Sequence, residues 1–430
     1  MAANGIYIKK RILAPNENSV FAIYNFAVQL SALFLKLVAL FHSKIKLFVD
    51  GRKGVMSYLR KNIGGADSII WVHTASLGEF EQGLPIIEQL KRHYPAHRIL
   101  VTFFSPSGYE VKKNTAAADM VTYLPMDTKK NVRQFLDLIH PKLVIFVKYE
   151  IWPNYMKALS QRGIPTLLIS ALFKEDQIYF KGYGSFMRKA LHNFTHIFVQ
   201  DAKSIELLSK INIRNTTING DTRFDRVVEI LDRDNNLSFM ENFKNGKQIL
   251  VAGSTWAEDE EILVPYINAG ESSLKFVLAP HNIKQEHINK LKASITKKTI
   301  LYSEMENKEL SNYDVLVIDT IGLLTKIYSY AEISYVGGGF STGLHNTLEP
   351  AVYGIPVIIG PNFKGFKEAE DLVNKGGVLV VKSTKEFFTL INDLQNKTEY
   401  LKSAGDINST YISENKGASI QIMAYIRTLI

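Results

Sequence analysis

Several short segments of this 430-residue chain have residue types and spacings that can do chemistry. The most distinctive is VGGGFSTGLHNTLEPAVYGIPVIIGPN at residues 336–362. There Gly337, Gly338 and Gly339 follow an apolar run, Asn346 and Glu349 stand three apart, and Gly360-Pro361-Asn362 closes the next apolar run. Glycines after a strand let the main chain approach a ligand with no Cβ in the way. Asn346 as N-cap with Glu349 reaching back would be a capping box, and a carboxylate so placed could also accept hydrogen bonds from a ribose. A glycine-rich turn, a helix N-terminus and an acid together suit a sugar nucleotide. The G-x-G-x-x-G fingerprint is absent, since Phe340, Ser341 and Thr342 follow the glycines, which weighs against a dehydrogenase.

The other segments all follow apolar runs. In His73-Thr-Ala-Ser76-Leu-Gly78-Glu79, Glu79 falls in the first turn of an expected helix. It can simply complement the helix dipole, or it can serve as a general base toward a sugar hydroxyl. Lys148-Tyr-Glu150-Ile-Trp152-Pro153-Asn154 places two ionisable residues at a strand end, with Pro153 able to open a helix. In Asn219-Gly220-Asp221-Thr-Arg223, Arg223 is either solvated surface or a fixed cation for an anionic ligand. Gly253-Ser254-Thr255 can offer N–H groups and hydroxyls to a phosphate, or be a plain N-cap. His281 has no metal-ligand spacing around it, and no Asp-x-Asp pair follows an expected strand, since Asp232 and Asp234 lie in the polar stretch before the second series of strands.

These segments need a scaffold. Strands are expected at 68–76, 98–104, 121–125, 143–149, 166–171, 196–200 and 216–220. A second series follows at 248–254, 275–280, 299–303, 314–319, 333–338, 356–360 and 377–381. Between the first two strands Phe80, Leu84, Ile87, Leu90 and Tyr94 step by four and three, one helix face. Continuous apolar strands alternating with helices predict parallel sheets covered on both sides. Two doubly wound α/β domains in tandem follow, with ligands expected at the carboxyl ends of the strands. The expected division is 1–65 as a membrane-associated helix and basic segment, 66–232 as the first domain, 233–246 as a polar linker of which part can be helix, and 247–430 as the second. The last stretch, from about Tyr400, reads as helix, with packing back on the first domain as one option.

Charge is unevenly placed. The chain carries a net +9, yet residues 1–65 hold ten Lys/Arg against Glu17 and Asp50, so the remainder is nearly neutral. A nucleic-acid binder would spread its charge over a folded face. Here the charge flanks the apolar stretch VFAIYNFAVQLSALFLKLVALF, residues 20–41. That stretch can be a membrane anchor, an interfacial helix or a buried helix. The basic run after it suits an anionic cytoplasmic leaflet. The absence of cysteine excludes disulfides and thiolate catalysis.

The order HTASLGE, YEIWPN, NGDTRFD, GST, GGGF…HNTLEPA and GIPVIIGPN resembles the 3-deoxy-D-manno-octulosonic acid (Kdo) transferase family of lipopolysaccharide synthesis. The resemblance implies the GT-B fold, with two Rossmann-like domains. It implies inverting, metal-independent and cofactor-free transfer of Kdo from CMP-Kdo to a lipid A precursor at the cytoplasmic side of the inner membrane. It puts the catalytic base on Glu79, transition-state stabilisation on Glu150 and Arg223, and the acceptor side on Ser76, Gly78 and Lys148. Donor binding falls on Ser254, Thr255, Pro280, His281, Ile321, Gly322, Leu323, Gly338, Gly339, Phe340, Asn346, Thr347, Leu348, Glu349 and Asn362. The chain departs from the family pattern in four places. Lys148-Tyr149-Glu150 stands for Glu-Thr-Glu, His281 for an Arg, Leu323 for a Glu, and Arg223 for the commoner Lys. Another GT-B transferase using a UDP-sugar and a lipid acceptor is the alternative. A GT-B-shaped epimerase would need no membrane segment.

Overall fold

The computed structural model describes residues 17–269, 274–341 and 343–430. Residues 1–16 of the basic N-terminal segment, and Thr342, lie outside the described residues. The chain forms two compact units. One runs up to Arg223 and takes in Gly417–Ile430, and the other is Phe224–Lys416.

The first unit holds β1 (Ser68–Thr74), β2 (His97–Phe103), β3 (Met120–Tyr123), β4 (Pro141–Val147), β5 (Thr166–Ala171), β6 (His196–Val199) and β7 (Thr216–Ile218), in the order β3-β2-β1-β4-β5-β6-β7. The second holds β8 (Ile249–Thr255), β9 (Lys275–Pro280), β10 (Thr299–Leu301), β11 (Val315–Val317), β12 (Ile333–Val336), β13 (Val357–Ile359) and β14 (Val378–Val380), in the order β10-β11-β9-β8-β12-β13-β14. Every pairing is parallel. Each expected strand is present, because a strand buried on both faces needs an unbroken apolar run. On β1, Ile69 and Trp71 enter one apolar layer while Ile70 and Val72 enter the other.

The helix Leu77–His93 buries Phe80, Leu84, Ile87 and Leu90, the face its spacing predicts. Each such side chain contributes roughly 2 kcal/mol of burial. The helix Ala418–Ile426 closes the first unit, adding Ile422, Met423 and Ile426 to the layer that also holds Ile70 and Val72.

The stretch 233–246 contains the helix Ser238–Lys244, whose Met240 and Phe243 are fully buried in the second unit. Its composition is polar on average, but two apolar residues three apart suffice to seat one face.

Near the start of the described chain lie α1 (Glu17–Val38) and α2 (Ser43–Lys53). The span Val20–Val38 of α1 is long and apolar enough to cross a membrane by length and composition, and little of it is buried. The buried-helix reading is therefore set aside: Ile23, Phe26, Leu30, Leu33, Leu37 and Leu40 are all more than half exposed.

Candidate functional site

In the first sheet β1 lies between β2 and β4, so strand order reverses there. A crevice forms beyond the carboxyl ends at such a reversal, and the loops after β1 and β4 flank it. Glu79 and Glu150 come from those two loops.

Glu79 is the third residue of the helix Leu77–His93 and is 9% exposed. Its Oε2 accepts the backbone N–H of Ala75 at 2.5 Å and of Ser76 at 3.1 Å. The cap-like bonding is real, and the same carboxylate has lost most of its water. Burial first, then the charge of Glu150, pushes its pKa up to about 7, against the two N–H groups and Lys148. A carboxyl at that value can take a proton from a substrate at neutral pH. Gly78, beside it, is exposed, and a Cβ built there meets nothing within 4 Å. Ser76 is the N-cap.

Glu150 Oε2 is approached by His73 Nε2 at 3.1 Å and by Trp152 Nε1 at 2.8 Å. His73 is fully buried, and its Nδ1 lies 2.8 Å from Thr102 Oγ1 and 3.1 Å from the Thr102 carbonyl. Thr102 Oγ1 also accepts from Trp71 Nε1 at 2.8 Å. With the imidazole proton on Nε2, that nitrogen donates to Glu150 Oε2 and Nδ1 accepts from the Thr102 hydroxyl. Sequence reading had passed over His73 except as the start of a loop. Its signal was available: Trp71 and His73 alternate onto one face of β1.

Lys148 sits in a left-handed conformation, φ +66°, with Nζ 5.2 Å from the Tyr149 ring centre. Tyr149's phenol is raised first by burial, then by Glu79 and Asp221, and lowered by Arg223, so these groups share one electrostatic neighbourhood.

Arg223, open from sequence as solvated surface or as a fixed cation, is bound to a neighbouring carboxylate. Its Nε and Nη2 donate to Asp221 Oδ2 at 3.0 and 2.8 Å, and its backbone N–H donates to Asp221 Oδ1 at 2.9 Å. Burial would raise the Asp221 carboxyl, but the guanidinium outweighs it and holds it low. Much of the Arg223 charge is thus answered inside the unit.

The second unit repeats the logic. There β8 lies between β9 and β12, and the loops after all three carry most of the expected donor residues, while Ile321, Gly322 and Leu323 follow β11 and Asn362 follows β13. The glycines, however, serve the protein itself. A Cβ on Gly337 would lie 2.3 Å from Ser254 O, and one on Gly339 would lie 2.7 Å from Gly360 N. The Asn362 N–H donates to Gly339 O at 2.8 Å, so two bare turns pack backbone to backbone. Gly338 holds φ +92°, and its N–H donates to the buried Asp259 Oδ2 at 2.8 Å.

Thr255 is fully buried and donates to Glu260 Oε1 at 3.0 Å, so its hydroxyl proton is not offered to a phosphate. Ser254 beside it is half-buried. Thr347 and Leu348 are buried, so their side chains support the turn from beneath. Thr347 stands at the N-cap place of the helix Leu348–Ala351. Asn346 Oδ1 accepts from Leu348 N at 3.1 Å, and Asn346 Nδ2 donates to Glu349 Oε1 at 3.2 Å. Ile321 is exposed, Gly322 holds φ +93°, and Leu323 and Phe340 are half-buried.

One cluster joins three loops. His281, directly after Pro280, stacks on Trp256 and on His345, with ring centres 4.6 Å apart in each case. Trp256 Nε1 donates to His345 Nε2 at 3.0 Å. Burial, then His281, pushes the His345 pKa down to about 4, and burial lowers that of His281. Both rings are therefore neutral near pH 7. Trp256 and His345 were not singled out from sequence, though each sits within two loops already under suspicion.

The chain can now be compared with known proteins. A family model described as 3-deoxy-D-manno-octulosonic-acid transferase (kdotransferase) matches residues 49–226. A 3-deoxy-D-manno-octulosonic acid transferase of Aquifex aeolicus is 31% identical over 350 residues, 80% of this chain and 89% of the relative. One of Haemophilus influenzae is 28% identical over 372 residues, 83% of this chain and 86% of the relative. Among solved structures, a UDP-N-acetylglucosamine 2-epimerase described for Listeria monocytogenes aligns with TM-score 0.56 at 11% identity, covering 84% of this chain and 96% of that one. A MurG of Acinetobacter baumannii aligns with TM-score 0.55 at 11% identity, covering 84% and 99%. These structural likenesses speak to the fold, two Rossmann-like sheets of the GT-B class.

Proposed function

Because this chain belongs to the 3-deoxy-D-manno-octulosonic acid transferase family, we propose that it moves Kdo from CMP-Kdo to a hydroxyl of a lipid A precursor, with inversion and with Glu79 as general base. The chain is a glycosyltransferase. The observation that carries the finer reading is Glu79 itself, a carboxyl at a strand-order reversal whose pKa is pushed up to about 7. As the acceptor oxygen bonds to the anomeric carbon, its proton passes to Glu79. The bond from that carbon to the phosphate oxygen breaks, and CMP leaves with the electron pair. Positive charge grows on the sugar ring meanwhile, and an anionic Glu150 held by His73 and Trp152 stabilises it. No cofactor and no metal are invoked: the leaving group is the donor's own phosphate. Donor contacts are proposed for Ser254, His281, Ile321, Gly322, Asn346, Glu349 and Asn362.

The proposal places the enzyme at the cytoplasmic face of the inner membrane. The apolar face of α1 and the basic α2 support this, because the acceptor is a lipid whose sugar head lies at that depth.

The test is incubation of the purified protein with CMP-Kdo and a tetra-acylated lipid A precursor, followed by mass spectrometry of the lipid. Addition of Kdo is expected. A lipid that gains mass only from a UDP-sugar would overturn the donor assignment.

A further inference from the structure

The N-terminal helical pair is fastened to the first unit at two points. Early in α1, the Tyr24 hydroxyl donates to Asp127 Oδ2 at 2.6 Å, and Asn154 Nδ2 donates to Asn25 Oδ1 at 3.1 Å. Phe21 packs edge-on against Phe186 with ring centres 5.0 Å apart. Late in α2, Arg52 donates to the carbonyls of Leu124 at 2.9 Å and Phe104 at 2.7 Å. Its guanidinium lies 3.6 Å from the Phe48 ring centre. Tyr24 and Arg52 are therefore on the same side of any membrane. Tyr24 and Asn25 lie inside the candidate span Val20–Val38, so a crossing helix would carry both into the bilayer and away from the partners they hold on the first unit.

Exposure along α1 agrees with this. Tyr24, Asn25, Val28, Ala32, Leu35 and Val38 are less exposed than their neighbours, one helix face turned toward the protein. Ile23, Phe26, Leu30, Leu33, Leu37 and Leu40 form the outward stripe, each 55–74% exposed. The chain from 17 to 61 carries seven Lys/Arg against two acids. Lys36, Lys44, Lys46 and Lys53 are all exposed. An apolar stripe with cations beside it complements an anionic lipid surface.

We propose that α1 lies in the plane of an anionic lipid surface, its outward stripe at the acyl boundary, and does not cross the bilayer. This rests on the membrane-associated reading above and sharpens it. A consequence follows for the site. Asp127 also accepts the N–H groups of Asn154 and Tyr155, at 3.0 and 3.1 Å, and so caps the helix Pro153–Gln161. That helix begins directly after Trp152, which holds Glu150. The clamp on Tyr24 and Asn25 thus fixes the height of the Glu150 loop above the lipid.

The chain has no cysteine, so single-cysteine variants of the full protein report cleanly. Phe26→Cys, Leu30→Cys, Leu33→Cys and Leu37→Cys would carry an environment-sensitive dye. They would be added to vesicles of phosphatidylcholine, with or without phosphatidylglycerol, containing lipids quencher-labelled at two depths. The expected result is one shallow depth at all four positions and at least tenfold tighter binding to the anionic vesicles. A depth profile peaking near residue 30 and falling away on both sides would overturn the proposal in favour of a spanning helix. No binding to either vesicle would overturn the membrane reading itself. Kdo transfer to detergent-dispersed acceptor is read separately and is untouched by either result. As a check on the clamp, Tyr24→Phe with Asn25→Leu should spread the label depths, and unchanged depths would remove the clamp.

Discussion

His73 Nε2 lies 3.1 Å from Glu150 Oε2, although the two residues are 77 positions apart. The contact joins the ends of two adjacent strands, β1 and β4, and Thr102 of β2 lies against the other ring nitrogen of His73. His73 is thus a positioning residue for Glu150. His73→Gln keeps an N–H donor near the Nε2 place and should retain most of the turnover. His73→Leu removes it and should lower kcat at least tenfold, with the KM for CMP-Kdo changed less than threefold. Steady-state kinetics on the two variants decides this, and equal loss in both would reduce His73 to a packing role.

Glu79 should show itself in the pH profile. With a pKa about 7, its base form grows as pH rises, so kcat/KM should climb through pH 7 and level off above 8. Glu79→Gln should lose more than a thousandfold in transfer and keep CMP affinity within a factor of two. Near-normal turnover in that variant would remove Glu79 as the base.

The same residue carries a stability cost with a definite sign. Its folded pKa stands above the ordinary 4.5, so ionising it disfavours the folded state. The penalty is absent below pH 4.5, grows between 4.5 and 7, and is complete above 7, at about 3 kcal/mol as an upper bound. Glu79→Gln should therefore be more stable than the natural protein in urea unfolding at pH 8. The gain should shrink toward zero near pH 4.5.

Gly339→Ala puts a Cβ 2.7 Å from the Gly360 backbone N, where neither turn can yield cheaply. A loss of about 1–3 kcal/mol is expected by urea unfolding, accompanied by weaker CMP binding. A variant of unchanged stability would mean the two turns separate easily.

The Trp256–His281–His345 stack is uncharged near neutrality, because burial lowers both imidazoles. CMP affinity should therefore stay nearly flat between pH 7 and 8 in calorimetry. His281→Arg adds a permanent cation beside an anionic ligand and should tighten CMP binding several-fold. A marked loss of affinity would show that the stack itself does the binding.

The sequence by itself determined the strands, their parallel pairing, the amphipathic faces and the loops that matter. Those features rest on periodic burial summed over many side chains, so one odd residue cannot disguise them. In the polar stretch 233–246 a helix was only one option, because Met240 and Phe243 form too short a pattern to decide it. Only the tertiary structure decided who meets whom: His73 with Glu150, Arg223 with Asp221, His281 with Trp256 and His345, Gly339 with Gly360. It also decided that Tyr24 and Arg52 are bound to the same unit. Such pairings depend on strand order and register, which bring distant positions within a few ångströms and leave no trace in the local spacing of residues.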